Sequence, residues 1–168
     1  MRNESVPIIS VVGKSDSGKT TLLEKLIPEL KRRGYRVATV KHDIHGFEID
    51  REGKDTWRHA RAGADAVVIS SGQKLAVIKR TRRELSLDEI AELLPDVDII
   101  LTEGYKRGPK PKIEVSRRTV SPELLCSPEE LVAIVTDQSF PIDVPQFALD
   151  DAKGLVDLLE ERFLKDRR

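Results

Sequence analysis

The chain has 168 residues, 39% of them hydrophobic, which is enough for a single domain over residues 1–168 whose core needs no disulfide or structural metal. Its 29 lysines and arginines balance 29 aspartates and glutamates, so no net charge draws the protein to nucleic acid or to an anionic membrane. With a single cysteine, no secretion leader and no apolar run near the roughly 20 residues that span a bilayer, the chain is expected in the cytoplasm.

The first motif is a glycine-framed loop that follows a short apolar run. Residues 7–12 are rich in β-branched side chains and predict a buried strand. Residues 13–20 read Gly-Lys-Ser-Asp-Ser-Gly-Lys-Thr, the Walker A pattern G-x-x-x-x-G-K-[ST], which arises by chance in about 0.5% of chains of this length. In such a phosphate-binding loop (P-loop), backbone N–H groups cradle phosphates, the lysine reaches the terminal phosphates and the last hydroxyl faces a magnesium ion. The residues predicted to bind nucleotide here are Gly13, Ser15, Asp16, Ser17, Gly18, Lys19, Thr20 and Thr21.

The elements after this loop predict the beginning of a parallel sheet. Apolar residues at helical spacing over residues 22–30 predict a helix that is kinked at Pro28 and ends at Gly34. Residues 36–41 predict a second strand, and strand, helix and strand in this order form a right-handed parallel unit.

Residues 42–53 show no clear period and predict a loop at the carboxyl end of the second strand. In an open α/β sheet this is the edge where ligands bind. Among the carboxylates of the loop, Asp43 and Asp50 are the predicted metal-binding or water-positioning residues. The chain's three histidines are His42, His45 and His59. The spacing of His42 and His45 is short and no cysteine accompanies them, so the pattern favours solvated histidines over a structural zinc site.

The rest of the chain supplies alternating helices and strands. In order, the predictions are a helix at 54–62, strands at 66–69 and 74–79, a helix that starts at the capping box Ser86–Glu89 and ends before Pro95, strands at 97–102, 113–116 and 131–136, and a last helix capped by Asp150 or Asp151. The turn signal Ser71-Gly72 joins the strands 66–69 and 74–79 into an antiparallel hairpin. We therefore predict an α/β fold of the P-loop NTPase type, with a mostly parallel sheet flanked by helices and an added antiparallel hairpin.

Two acidic residues at strand ends are further candidates for the site. P-loop enzymes hold their metal with a second acid at the carboxyl end of a buried strand, and Glu103 follows the strand 97–102. Asp98 lies roughly 16 Å back along the same strand, so we expect it to be a polar residue at the strand start. Asp137 follows the strand 131–136, where its carboxylate would accept two hydrogen bonds from a guanine edge. The Asn-Lys-x-Asp signature of GTPases is absent, so these residues alone do not predict a preference for guanine.

Four stretches of the sequence resemble the molybdopterin-guanine dinucleotide biosynthesis adapter family, MobB. They are the P-loop at 13–20; Lys41-His42 with His45; residues 50–58 running on to 62–64; and residues 102–106 followed by 111–114. Gly-Lys-Asp-Thr at 53–56 and Thr-Glu-Gly-Tyr-Lys at 102–106 are far more specific than the P-loop, which many families share. One departure is that Ile44 interrupts the histidines that the family often packs after Lys-His.

The resemblance implies a GTP-binding, weakly hydrolysing homodimer that uses Mg²⁺. It would assist the guanylyltransferase that joins GMP to molybdopterin, and its partners would be that enzyme and molybdopterin-bearing proteins. By position, Lys19 and Thr20 would hold phosphates and magnesium, Glu103 would be the metal acid, and the cleft would be lined by Lys54, Asp55 and Lys106. The catalytic residues would then be Lys19, Glu103 and Asp50.

Two alternatives remain open from the residues. In a small-molecule kinase, the basic helix at 54–61 would grip an anionic acceptor, and the arginine-rich segment 79–83 would be the lid. In a pure binding module, GTP would only gate contact with a partner. For the dimer, the hairpin strand at 74–79 is the predicted contact, because its outer edge would be open.

Overall fold

The computed structural model describes residues 5–165, which form two compact units. The sheet unit comprises the described residues up to His42 and from Ile90 onward, and the hairpin unit comprises Asp43–Glu89. The strands are β1 Ile8–Val12, β2 Val37–Lys41, β3 Ala66–Ser70, β4 Leu75–Lys79, β5 Ile99–Glu103, β6 Lys112–Ser116, β7 Leu131–Thr136 and β8 Gln146–Phe147. The α-helices are α1 Lys19–Arg32, α2 Asp55–Arg61, α3 Leu87–Glu92 and α4 Ala152–Leu159.

The sheet unit is built on a six-stranded sheet in the order β2-β5-β1-β6-β7-β8, in which every neighbouring pair is parallel. β1 and β6 are buried along their whole length, as expected for central strands of a parallel sheet covered on both faces. β1 and β2 are parallel as predicted, but β5 lies between them. The order places β5 and β6 on either side of β1, so three strand ends meet at the P-loop.

Helix α1 covers this sheet together with α4. Its buried residues Leu22, Leu26 and Leu30 join Leu155 and Leu159 of α4 in one apolar cluster with the central strands. Burying each such side chain contributes about 1.5–3 kcal/mol, so this cluster anchors the loop that precedes α1. The helix runs through Pro28 to Arg32; the kink at Pro28 stays a prediction.

The ends of α3 and α4 agree with the capping signals in the sequence. Ser86 and Glu89 exchange bonds before α3: Ser86 N–H donates to Glu89 Oε2 at 2.9 Å, and Glu89 N–H donates to Ser86 Oγ at 3.2 Å. Asp151 is the N-cap of α4 and accepts a hydrogen bond from Gly154 N–H at 2.9 Å. The last turns after α4 have π-helical geometry over Glu160–Leu164, which the sequence did not indicate.

The hairpin unit contains α2 and the antiparallel pair β3 and β4. Their register pairs Ala66 with Lys79 and Ser70 with Leu75, which confirms the predicted hairpin. The two strands form a sheet of their own. Within residues 5–165, no helix has both the length and the apolar character that a membrane crossing requires. The single domain over 1–168 stays a prediction.

Candidate nucleotide-binding site

The P-loop connects β1 to α1 and is shaped by close backbone approach. A Cβ atom on Gly13 would lie 2.5 Å from both Ser17 Oγ and the carbonyl oxygen of Val115 in β6, so no side chain fits there. Gly18, the N-cap of α1, has φ of 99°, a conformation that favours glycine. Both glycines of the motif are therefore required by the geometry of the loop.

Lys19 holds the loop in shape. Its Nζ donates to the carbonyl oxygen of Gly13 at 3.1 Å and to that of Lys14 at 2.8 Å. Lys14 in turn donates through its own Nζ to Ser121 Oγ at 2.7 Å. The ammonium group of Lys19 thus lies over the loop. A bound phosphate chain can replace the two carbonyl groups as its hydrogen-bond partner.

Thr20 and Glu103 meet at the start of α1. Residue Glu103 ends β5, which is paired with β1 so that Glu103 lies opposite Val11. Thr20 Oγ1 donates to the Glu103 carboxylate and lies 3.0 Å from each of its oxygens. A hydroxyl and a carboxylate are the hard oxygen ligands that Mg²⁺ takes, with its other positions left to water and phosphate. The two residues therefore fit the metal that the loop motif implies.

The cavity at this place has a volume of about 410 Å³ and is lined by Ser15, Asp16, Gly18, Lys19, Thr20, Thr21, Glu103 and Arg117. All but the last of these residues were predicted from the sequence. Two polar atoms of the neighbourhood, Ser17 Oγ and Arg117 Nε, are buried without a hydrogen-bond partner among the described residues. The unsatisfied N–H of Arg117, which lines this cavity, fits an anionic ligand such as a phosphate chain.

Arg117 was not predicted from the sequence as a site residue. It directly follows β6, and the only available signal was its position after a strand, which many residues share. That β6 neighbours β1 follows from the strand order, which no local pattern reveals.

Buried charges of β6 hold the surrounding loops. Lys112 is 2% exposed and donates through Nζ to Gly108 O at 2.7 Å and to Glu130 Oε1 at 2.9 Å. The hydrogen bond from Lys112 lowers the pKa of Glu130. Glu114, 1% exposed, accepts hydrogen bonds from the backbone N–H groups of residues 125 and 126. The segment 111–114 thus has a structural role beside the cavity.

Cys126 itself is buried behind this strand. Burial raises the pKa of its thiol to about 11, and the negative charge of Glu114 adds to the effect. A thiol with so high a pKa is unreactive at neutral pH, as expected for a packing residue.

Outside the P-loop, two predicted site residues of the sheet unit are not among the residues that line the cavity. Lys106 is exposed in the turn after Tyr105, whose ring stacks on that of His42 with 4.4 Å between centroids. Asp137 is exposed directly after β7, and its Oδ1 accepts a hydrogen bond from Arg118 N–H at 2.8 Å. The roles of Lys106 and Asp137 stay predictions.

The remaining predicted residues belong to the hairpin unit, where their contacts are local. Asp43 Oδ1 accepts from His45 N–H at 2.9 Å, and Asp50 Oδ1 accepts from Thr56 Oγ1 at 3.0 Å. Lys54 is the N-cap of α2, and Asp55 is its first residue. Within residues 5–165, no group of three or more histidine, cysteine, aspartate or glutamate side chains is placed to hold a metal ion. A metal role of Asp43 therefore stays a prediction.

The arginine-rich segment 79–83, which a kinase would use as a lid, is engaged within the hairpin unit. Arg80 donates to the carbonyl oxygen of Ala60 at 2.9 Å. Arg83 pairs with Glu89, and this hydrogen bond, helped by Ser86, lowers the pKa of Glu89 to about 2.

Comparison with known proteins shows which protein family the chain is similar to. A sequence model described as molybdopterin guanine dinucleotide synthesis protein B matches residues 8–137. The chain is 38% identical over 150 residues to the molybdopterin-guanine dinucleotide biosynthesis adapter protein of Haemophilus influenzae, covering 88% of this chain and 83% of that protein. The Escherichia coli protein of the same name is 34% identical over 162 residues, with 93% of each chain covered. The crystal structure of Bacillus subtilis MobB superposes with a TM-score of 0.75 at 31% identity, covering 94% of this chain and 98% of that one.

Proposed function

The chain belongs to the molybdopterin guanine dinucleotide synthesis protein B family, and on that premise we propose that it is a GTP-binding adapter in molybdenum cofactor biosynthesis. It assists the conversion of molybdopterin to molybdopterin guanine dinucleotide and hydrolyses GTP weakly. The observation that carries the nucleotide part of the proposal is the contact between Thr20 and Glu103 in the cavity that Lys19 also lines. The names of the relatives support the pathway.

In this proposal Lys19, Thr20 and Glu103 of the cavity have defined tasks. Lys19 leaves the carbonyl groups of Gly13 and Lys14 and neutralises the terminal phosphates of GTP. Thr20 and Glu103 hold Mg²⁺, which, when bound, supplies positive charge to the phosphates. The backbone of the loop, including residue Ser17, completes the phosphate cradle with its N–H groups.

The other proposed roles rest on position in the sequence and on the family resemblance. Asp137 accepts hydrogen bonds from the guanine edge, and its exposure after β7 leaves it accessible for this. Lys54, Asp55 and Lys106 contribute to nucleotide binding. Asp43 contributes to metal binding, and Asp50 positions the attacking water.

We propose that the protein acts as a cytoplasmic homodimer. The hairpin unit exposes Val68, Leu75 and Val77 by 56%, 64% and 57%, an unusual share for apolar side chains on one small sheet. The register pairs Val68 with Val77 and Ser70 with Leu75, so all three apolar side chains lie on one face. A second copy of the chain would cover this face. The guanylyltransferase and molybdopterin-bearing proteins are the other proposed partners.

Nucleotide selectivity tests the proposal. We expect titration calorimetry in the presence of Mg²⁺ to give tight binding of GTP and GDP and at least about tenfold weaker binding of ATP, which corresponds to one lost base contact. Strong binding of ATP with indifference to GTP would contradict the proposal. Stoichiometric transfer of phosphate from the nucleotide to a small molecule would favour a kinase instead.

A further inference from the structure

The side chain of Arg117 lies in the nucleotide cavity without an assigned task. Its backbone is fixed by a tight turn at the end of β6, because the Arg117 carbonyl oxygen accepts hydrogen bonds from Val120 N–H and Ser121 N–H, both at 2.9 Å. The Nζ of Lys14 from the P-loop donates to Ser121 Oγ, so this turn and the P-loop are tied together. The position of Arg117 relative to the loop is therefore well defined.

The guanidinium group lies against Gly18 of the P-loop. A Cβ atom built on Gly18 would lie 3.4 Å from Arg117 Nη2, 3.5 Å from Nε and 3.7 Å from Cζ. A glycine at this position thus leaves room for the guanidinium group beside the loop. The N–H groups of the loop backbone, which receive phosphate oxygens in a P-loop, are its neighbours.

The guanidinium group of Arg117 has a buried N–H without a direct partner in the described part of the chain. Its Nε is buried and has no hydrogen-bond partner there, and no carboxylate among residues 5–165 forms an ion pair with it. A buried N–H of a charged group that lacks a partner is costly, and arginine matches phosphate oxygens in geometry and charge. The cavity otherwise carries one cation, Lys19, and two carboxylates, Asp16 and Glu103.

We infer that Arg117 binds the α- and β-phosphates of the nucleotide, as a second cation in addition to Lys19. The backbone of a P-loop cradles the α- and β-phosphates, whereas its lysine and its metal serve the β- and γ-phosphates. Because Arg117 lies against Gly18, which belongs to the backbone that cradles these phosphates, it contacts the part of the ligand that GDP and GTP share. The inference rests on the proposed function insofar as the ligand is a nucleoside di- or triphosphate.

Calorimetric titrations of GDP and GTP into Arg117→Ala and the unaltered protein test this inference. We expect Arg117→Ala to weaken both nucleotides by the same factor, about ten- to hundredfold, which is the effect of a charge-assisted hydrogen bond. Arg117→Lys keeps the charge without the planar fork and should recover part of the affinity for both. The ratio between affinities measured with Mg²⁺ and with a chelator should not change, because Arg117 does not serve the metal.

Arg118→Ala is the matched control. Arg118 is the exposed neighbour in sequence, and its hydrogen bond to Asp137 is made by the backbone N–H, which the substitution keeps. We expect nucleotide affinities equal to those of the unaltered protein. Circular dichroism and thermal melting verify that each variant is folded. If Arg117→Ala does not fold, Arg117→Lys is compared with the unaltered protein instead.

Three results would overturn the inference. Folded Arg117 variants that bind GDP and GTP normally would show that the arginine does not touch the phosphates. A loss confined to GTP, or to the hydrolysis rate, would place Arg117 at the γ-phosphate instead. An unaltered protein that binds no nucleoside phosphate would contradict both the inference and the proposed function. A preference for ATP would contradict only the proposed guanine specificity, and the same titrations of the Arg117 variants would then use ADP and ATP.

Discussion

Thr20 and Glu103 come from positions 83 residues apart, yet the hydroxyl of one lies 3.0 Å from both carboxylate oxygens of the other. The pairing of β1 with β5 produces this contact, because it sets the last residue of β5 beside the start of the P-loop. In a protein with this loop, such a contact defines the place of a magnesium ion. Here the Thr20 hydroxyl and the Glu103 carboxylate would supply two oxygen ligands that already lie next to each other.

Replacing Glu103 by glutamine tests this assignment at the residue scale. Glutamine keeps the size and one acceptor oxygen for Thr20 but removes the negative charge, so the Mg²⁺ concentration needed for half-maximal GTP binding should rise about tenfold. Affinity for GTP in a chelator should change little. The measurement is a magnesium titration followed by the fluorescence of a labelled nucleotide. Glu24→Gln, on the exposed face of α1, is the control, and an unchanged magnesium requirement would make Glu103 structural.

Some residues of the site could be predicted from the sequence and others could not. Gly13 to Thr20 and Glu103 were predicted because the loop motif is local and the acid follows a recognisable strand. Arg117 was not, since its meaning depends on β6 lying next to β1, a pairing between segments distant in the chain. Asp98 is a polar residue near the strand start, as expected. It accepts a hydrogen bond from Arg36 N–H at 2.8 Å and forms an ion pair with the Arg36 side chain at 3.0 Å.

At the scale of elements, α1 and the segment after it are joined to α4 by the side chain of Arg33. Its guanidinium group pairs with Asp157 and Glu160 at 2.6 Å each and donates to Glu29 at 2.8 Å. Burial alone would lower the pKa of Arg33, but the hydrogen bonds with Asp157, Glu29 and Glu160 outweigh it and raise the pKa. Hydrogen bonds from Arg32 and then Arg33 lower the pKa of Glu29 from 4.5 to about 2.

Arg33→Ala should therefore destabilise the protein by about 2 kcal/mol, because it removes a largely buried member of an ion cluster. In a protein of this size that loss lowers the melting temperature at pH 7 by about 4–8 °C. Glu29 has a lower pKa in the folded than in the unfolded protein, so its contribution is present above pH 4.5 and is lost as the pH falls toward 2. The difference in melting temperature between the two proteins should shrink over this window. Arg32→Ala, with a side chain 66% exposed, should cost less at pH 7. A difference independent of pH would contradict the role of Glu29.

Most elements were predicted within one or two residues, because their patterns are strong and local. The parallel strands β1 and β7 are apolar runs bounded by polar residues, and the hairpin has a turn signal. Strand β8 was missed, since Gln146–Phe147 is two residues long and is defined only by its pairing with β7. The order of strands in the sheet, and the separate sheet of the hairpin, are set by contacts between distant segments.

At the scale of the whole molecule, the exposed apolar face of the hairpin unit calls for a partner surface, and the proposed homodimer provides one. Val77→Lys would place a charge at the centre of this face, opposite Val68, and should convert the dimer to a monomer. Light scattering coupled to size-exclusion chromatography measures the molar mass. Gln73→Lys adds the same charge in the turn of the hairpin and should leave the dimer intact. A dimer that survives Val77→Lys would place the interface elsewhere.

In the proposed adapter, nucleotide binding at the P-loop is linked to production of the dinucleotide cofactor. The most direct measurement is the rate at which a purified guanylyltransferase forms molybdopterin guanine dinucleotide from molybdopterin and Mg²⁺-GTP, with and without this protein. We predict that the unaltered protein raises the yield or rate, that Lys19→Ala removes the stimulation, and that Lys31→Ala, exposed on α1, retains it. Stimulation that persists in folded Lys19→Ala, or no stimulation by the unaltered protein, would contradict the account.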